Sequence, residues 1–96
     1  MTHYYYPYIS VFKALADETR LQIVQMLTCE SMCATDLLAY FNITQPSLSY
    51  HMRILTGCGL VTARREAGRT MYQVRKDKLA LVKTLMETFL EGTALA

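Results

Sequence analysis

The spacing of apolar residues changes period twice along this chain, and that change limits what the chain can fold into. From Ile9 to about Leu55 the apolar side chains recur every three to four positions, as in helices with one buried face. Between Leu60 and Val74 the repeat shortens to two, as in paired strands, and after Asp77 it lengthens again. A chain of 96 residues holds one core of this kind and has no room for a second. With 52% apolar residues that core can be ordered, which argues against disorder. The expected architecture is α+β, mainly α: four helices, a two-stranded β-hairpin and a last helix, in a single domain over residues 1–96.

Local signals set the expected boundaries. The first helix runs from Ile9 to Ala16, with Val11, Phe12, Leu15 and Ala16 on one face. Asp17 offers an N-cap for the second, in which Leu21, Val24 and Leu27, with Ile23, keep the helical period to about Thr28. A third helix spans about Cys33 to Tyr40. After a turn at Asn42-Ile43, Thr44 caps a fourth helix with Pro46 in its first turn, continuing to about Leu55 and stopping at Gly57 and Gly59. Leu60–Arg65 and Thr70–Val74 read as strands joined through Ala67-Gly68, and Asp77 caps a final helix that stops at Gly92. The opening Tyr4-Tyr5-Tyr6-Pro7-Tyr8 reads as a terminal arm whose rings pack on the body or on a partner subunit.

The net charge of +2 says little until it is divided along the chain. Residues 44–76 carry Arg53, Arg64, Arg65, Arg69, Arg75 and Lys76 against Glu66 alone, whereas acidic residues outnumber basic ones on either side. Positive charge concentrated in one third of a sequence is the footprint of a surface that meets phosphates. No apolar run is long enough to cross a bilayer, and the first residues lack the basic-then-apolar order of a signal peptide. Both features point to a cytoplasmic protein without membrane contact. There are no paired catalytic carboxylates, no phosphate-cradling glycine loop and no Cys–His dyad, so an enzyme is not expected.

The third and fourth helices have the spacing of a helix-turn-helix. At about 100° per residue, Leu48, Met52 and Leu55 share an inward face, and the opposite arc carries Pro46, Ser49, Tyr50 and Arg53, with Ser47 at its edge and Gln45 in the first turn. Amide and guanidinium groups read base edges in the major groove, while hydroxyls and a helix N-terminus hold phosphate. His51 falls beside the apolar arc, which favours a packed or phosphate-contacting role over base reading. The arginines of the hairpin, Arg64, Arg65 and Arg69, would extend the surface toward phosphates or the adjacent minor groove. The expected ligand is double-stranded operator DNA, with no cofactor needed to bind it. Two such units on a twofold axis would place recognition helices one duplex turn apart. The apolar stripe of the last helix (Leu79, Val82, Leu85, Met86 and Phe89) would form the homodimer interface with the first helix, Leu85 and Phe89 near its centre.

Leu15-Ala16-Asp17-Glu18-Thr19-Arg20-Leu21, Asp36-Leu37-Leu38, Thr44-Gln45-Pro46-Ser47-Leu48-Ser49-Tyr50-His51-Met52, Gly59-Leu60-Val61 and Met71-Tyr72 occur in an order and spacing that resemble the ArsR/SmtB bacterial repressors, over about residues 11–90. The resemblance implies a homodimeric winged-helix repressor that leaves its operator when an effector binds. The likeness is nearest to the arsenical-resistance repressors, whose third helix begins Cys-x-Cys-Asp-Leu. Cys33 matches the first cysteine of that motif and Cys29 a preceding one, while Thr35 stands where the second should be. The histidines of the family's other metal site, on the terminal helix, are absent here.

Three cysteines in 96 residues make no disulfide framework. A thiol at a helix entrance favours the thiolate that soft ions select, so Cys29 and Cys33 are candidate ligands for arsenite, antimonite or another soft metal, with Cys58 a possible third. The same pair could serve a reversible disulfide or sulfur-species switch, or all three could be small buried hydrophobes. Zinc, which wants four nitrogen or sulfur ligands in a closed site, is disfavoured. A winged-helix module used only for protein interaction remains the alternative outside DNA binding.

Overall fold

The computed structural model describes residues 4–92. In chain order the elements are α1 (Tyr6–Leu15), α2 (Glu18–Cys29), β1 (Met32–Cys33), α3 (Ala34–Leu38), α4 (Gln45–Gly57), β2 (Val61–Glu66), β3 (Arg69–Val74) and α5 (Lys76–Glu91). Helices, hairpin and last helix follow one another as expected, with β1 in addition. Among the described residues no helix is long and apolar enough to cross a membrane.

The sheet has three strands, in the order β1-β3-β2, where the residue pattern predicts two. Met32 pairs with Tyr72 and Cys33 with Met71, both antiparallel. Two residues are too few to show a period, but they satisfy backbone groups that the outer edge of β3 would otherwise leave open. Because Cys33 is extended (φ −88°, ψ 170°), α3 starts at Ala34 and spans five residues, shorter than the Cys33–Tyr40 expectation.

Capping residues hold most of the expected helix ends. Asp17 accepts the Arg20 N–H at 3.0 Å, and Thr44 accepts the Ser47 N–H at 3.2 Å. The start of α5 is different: Arg75 is the N-cap, its side chain making no capping bond to the helix backbone, and Asp77 lies inside the first turn, gripped by Arg75 Nη2 at 2.6 Å. That guanidinium, the largest influence on it, holds the Asp77 carboxyl below its ordinary range. At the other end α1 begins at Tyr6 rather than Ile9, since Pro7 suits a first turn. Tyr6 and Tyr8 are therefore helical, and Tyr4 and Tyr5 meet edge to face with ring centroids 5.1 Å apart.

The core is built where the periods converge: Val11 and Ala14 of α1, Ile23, Val24 and Leu27 of α2, Leu37 of α3, and Leu48, Met52 and Leu55 of α4 pack with Leu60, Val61 and Val74. Leu21, placed on the inner face by its spacing, is 52% exposed, because Ile23, Val24 and Leu27 alone fill that side of α2. Gly59, at φ +82°, turns the chain out of α4 in a backbone region that side chains disfavour. Leu60 is then buried and its carbonyl accepts the Arg75 N–H at 2.8 Å, closing the base of the hairpin.

Candidate nucleic-acid interface and its thiols

With Leu48, Met52 and Leu55 buried, α4 leaves Gln45, Ser47, Ser49, Tyr50 and Arg53 exposed on the opposite side, as expected. The Arg53 guanidinium carbon stands 6.0 Å from the Tyr50 ring centroid, at the outer reach of a cation–π contact. Stacked that way the guanidinium keeps its N–H donors for an incoming acceptor. His51, expected either packed or on a phosphate, is packed. It is half-buried, and its Nδ1 lies 3.0 Å from Arg20 Nη1, so the ring is held by the protein's own interior rather than offered to a groove.

The wing arginines do not share one face. Alternation along β2 sets Arg64 and Arg65 on opposite sides of the sheet, and the register pairs Arg65 with Thr70 and Arg64 with Met71. Tyr72 lines a cleft with Gln45, Ser49 and Met52 of α4. Arg65, which alternates in step with Thr70 and Tyr72, is thus on the face beside the recognition helix, with its guanidinium bonded to Thr70 Oγ1 at 2.9 Å and the Gly68 carbonyl at 2.8 Å. Arg64 and Arg69 belong to the other face. Arg64 binds Glu66 at 2.8 Å and Gln73 Oε1 at 2.7 Å. On the side of the wing beside α4 the exposed arginine is Arg65, while Arg64 and Arg69, expected with it, lie on the opposite face.

Arg69 turns instead to the thiol at the head of α3. Its Nη1 lies 3.9 Å from Cys33 Sγ. The Asp36 carboxylate accepts the Cys33 N–H at 3.4 Å; the Cys33 thiol foremost, then that N–H, with Arg69 close by, hold the Asp36 carboxyl below the usual carboxylate range. Cys33, 3% exposed, thus joins the head of α3 to β3. Asp36 was not among the sequence candidates, although its place three residues after Cys33 was a visible signal for a capping pair. Cys29 is exposed at the end of α2 and donates to the Gln25 carbonyl at 3.7 Å, and Cys58 follows α4 with its thiol 3.4 Å from the Leu55 carbonyl, packed against the core. All three are free thiols, and among the described residues no group of three or more His, Cys, Asp or Glu side chains is placed to hold a metal ion. Cys58, the possible third ligand, is thus not grouped with Cys29 and Cys33 in a site of that kind.

On the far side of the molecule α5 buries Leu85 at 1% exposure, while Met86 and Phe89 are exposed at 38% and 59%. Leu85 therefore belongs to the interior of the chain and not to the centre of an interface. Leu81 and Leu90 of α5, and Ile9 of α1, are exposed as well, beyond the residues expected.

A short helix and turn supporting an exposed polar helix, followed by a hairpin wing, define a winged helix-turn-helix, the class of fold to which transcriptional regulators of the kind below belong. Residues 17–63 match the model of the bacterial regulatory proteins of the arsR family. Over 70 residues the chain is 41% identical to the arsenical resistance operon repressor of Staphylococcus xylosus, covering 73% of this chain and 67% of that one. It spans 62% and 55% of the length of two further relatives, the arsenical resistance operon repressor of Staphylococcus aureus and a probable mercury resistance operon repressor of Streptomyces lividans. The fold is similar to that of an ArsR-like transcriptional regulator from Rhodococcus sp. RHA1, with a TM-score of 0.87 at 25% identity over 96% of this chain and 84% of the other. It is also similar to a homodimeric winged helix-turn-helix DNA-binding domain from Mycobacterium bovis, with a TM-score of 0.71 at 29% identity over 94% and 87%. The chain belongs to the arsR family.

Proposed function

We propose that the chain is an operator-binding repressor that works as a symmetric pair, reads duplex DNA with α4 and the wing, and lets go when Cys33 and Cys29 react with a soft metalloid or metal such as arsenite or antimonite. The observation that carries this reading is the position of Cys33. Its thiol touches Arg69 of the wing and the Asp36 carboxylate of α3, the helix that supports α4. A group bound to that sulfur has to displace one or both, so it acts on wing and recognition helix together. A coupling of about 1–3 kcal/mol between effector and operator is the usual scale for such linkage. The arsenical and mercury resistance repressors among the relatives support soft-ion chemistry. The apolar surface left by α1 and α5, and the homodimeric domain from Mycobacterium bovis, support pairing through those helices.

A second reading uses the same thiols. Two cysteines without a third ligand suit disulfide chemistry, in which a peroxide takes two electrons from the pair and leaves as water with their two protons. One experiment separates the readings: operator binding measured against arsenite, antimonite, cadmium, zinc and peroxide, for wild type, Cys29→Ser and Cys33→Ser. Release of wild type by arsenite or antimonite and retention of Cys33→Ser supports soft-ion sensing; release by peroxide alone supports the switch. Undiminished arsenite release from Cys33→Ser removes that thiol from the mechanism.

A further inference from the structure

Three elements converge on one guanidinium behind the recognition helix. Arg20, on the first turn of α2, donates through Nε to the Ala14 carbonyl at 2.6 Å, one of the carbonyls that the end of α1 leaves without a helical partner. Its Nη1 stands 3.0 Å from His51 Nδ1 on α4. A guanidinium has only donors, so Nδ1 is the acceptor and the neutral ring carries its proton on Nε2. The ring is largely enclosed, at 13% side-chain exposure, and Met52 beside it is buried while Tyr50 on its other side is exposed. Its charged neighbours both come from α2 and its cap: Arg20, and Asp17, whose Oδ2 lies 3.9 Å from the same Nδ1. From α4 itself the Tyr50 ring adjoins at 5.8 Å, and α1 contributes the Ala14 carbonyl through Arg20.

We propose that Arg20 is a positioning residue for the recognition helix and that His51 is its proton-sensitive catch: Arg20 holds α4 in its DNA-reading orientation only while the imidazole is neutral, so protonation of His51 weakens operator binding. A proton on Nδ1 replaces the acceptor with a donor and sets two cations face to face. Among the described residues the anion in reach is Asp17, so a charged ring turns toward Oδ2 and gives up Arg20. Because His51 lies between Tyr50 and Met52, any turn of the helix that follows re-aims Tyr50 and Arg53 together. Neither residue touches DNA in this scheme, and none of the cysteines takes part. The inference rests on α4 being the DNA-reading helix.

The test is operator binding by the full chain at about pH 7.5 and about pH 5.5, at fixed ionic strength with thiols reduced. Wild type is compared with His51→Asn, His51→Leu and Arg20→Met. Asparagine places an acceptor oxygen near the position of Nδ1 but does not titrate. His3, the one other histidine, is present in every protein and cancels. Wild-type affinity is expected to fall about tenfold toward the lower pH, within the span of site-to-site coupling. His51→Asn should bind at both pH values within about twofold, the scatter of uncoupled sites. His51→Leu and Arg20→Met should bind at pH 7.5 as weakly as wild type does at pH 5.5, with no slope. Circular dichroism at both pH values checks the fold, and should Arg20→Met not fold, the comparison of wild type with His51→Asn decides alone. Parallel pH profiles for those two proteins, or full affinity in His51→Leu, overturn the inference. Absence of operator binding by wild type at either pH overturns the proposed function instead.

Discussion

Asp17 shows how much a single carboxylate can settle. It caps α2, and the Arg20 backbone N–H foremost, helped by the Arg20 charge, keeps its carboxyl below the ordinary value. A carboxyl depressed in the folded state takes up its proton first in the unfolded chain. Its stabilisation is therefore complete above the unfolded value and is lost as pH falls through the folded one. Asp17→Ala is expected to cost about 1 kcal/mol near neutrality, the usual worth of such a cap. That deficit should shrink in thermal melts as pH drops below about 4, where free aspartate titrates. Caps of this kind, like Thr44, were legible because donor and acceptor lie three residues apart in sequence. The Arg20–His51 bond joins positions 31 apart, and no periodicity or spacing brings them together before the fold is known.

Elements were legible where they were long enough to show a period. The third helix was legible, but its bounds, Ala34–Leu38 rather than Cys33 to Tyr40, were not, nor was the two-residue β1, whose pairing with β3 leaves no period in its own residues. The wing turn is a case where local chemistry and fold disagree. Ala67 (φ +52°) and Gly68 (φ +77°) make a two-residue turn with both centres left-handed, a geometry that favours asparagine or aspartate before glycine. An alanine there bears most of the roughly 1–2 kcal/mol that left-handed backbone costs an L residue. Ala67→Asn is expected to recover up to about 1 kcal/mol of it, raising the melting temperature without altering the sheet. Unchanged or lowered stability would mean that the wing tip is not held in this turn.

At the scale of the molecule, α5 does two jobs with one stripe. Leu85→Ala, inside the chain, should lower stability by about 2–5 kcal/mol, as buried leucines do. Phe89→Glu, on the exposed side, should leave the melting temperature of the monomer nearly unchanged and shift sedimentation equilibrium from dimer toward monomer. A dimer as tight as wild type would exclude that face from the interface. The sequence pattern could say that the stripe was too broad for one side, but it could not say which residues face which way, since Leu81, Leu85 and Phe89 recur at the same four-residue interval. The concentration of charge in residues 44–76 was legible for a simpler reason, because it needs no geometry. How that charge is split between the two sides of the wing needed the register. The pairing of β1 with β3 also fixes where the wing can bend. Met71 and Tyr72 are clasped on both edges, by Met32 and Cys33 on one and by β2 on the other, whereas the strand residues of 65–70 pair only with each other. The hairpin is thus a cantilever clamped at Cys33, and its free span begins at the place where Arg69 leans back on the clamp. Loosening the clamp lengthens the span, and a longer span reaches DNA with less stiffness.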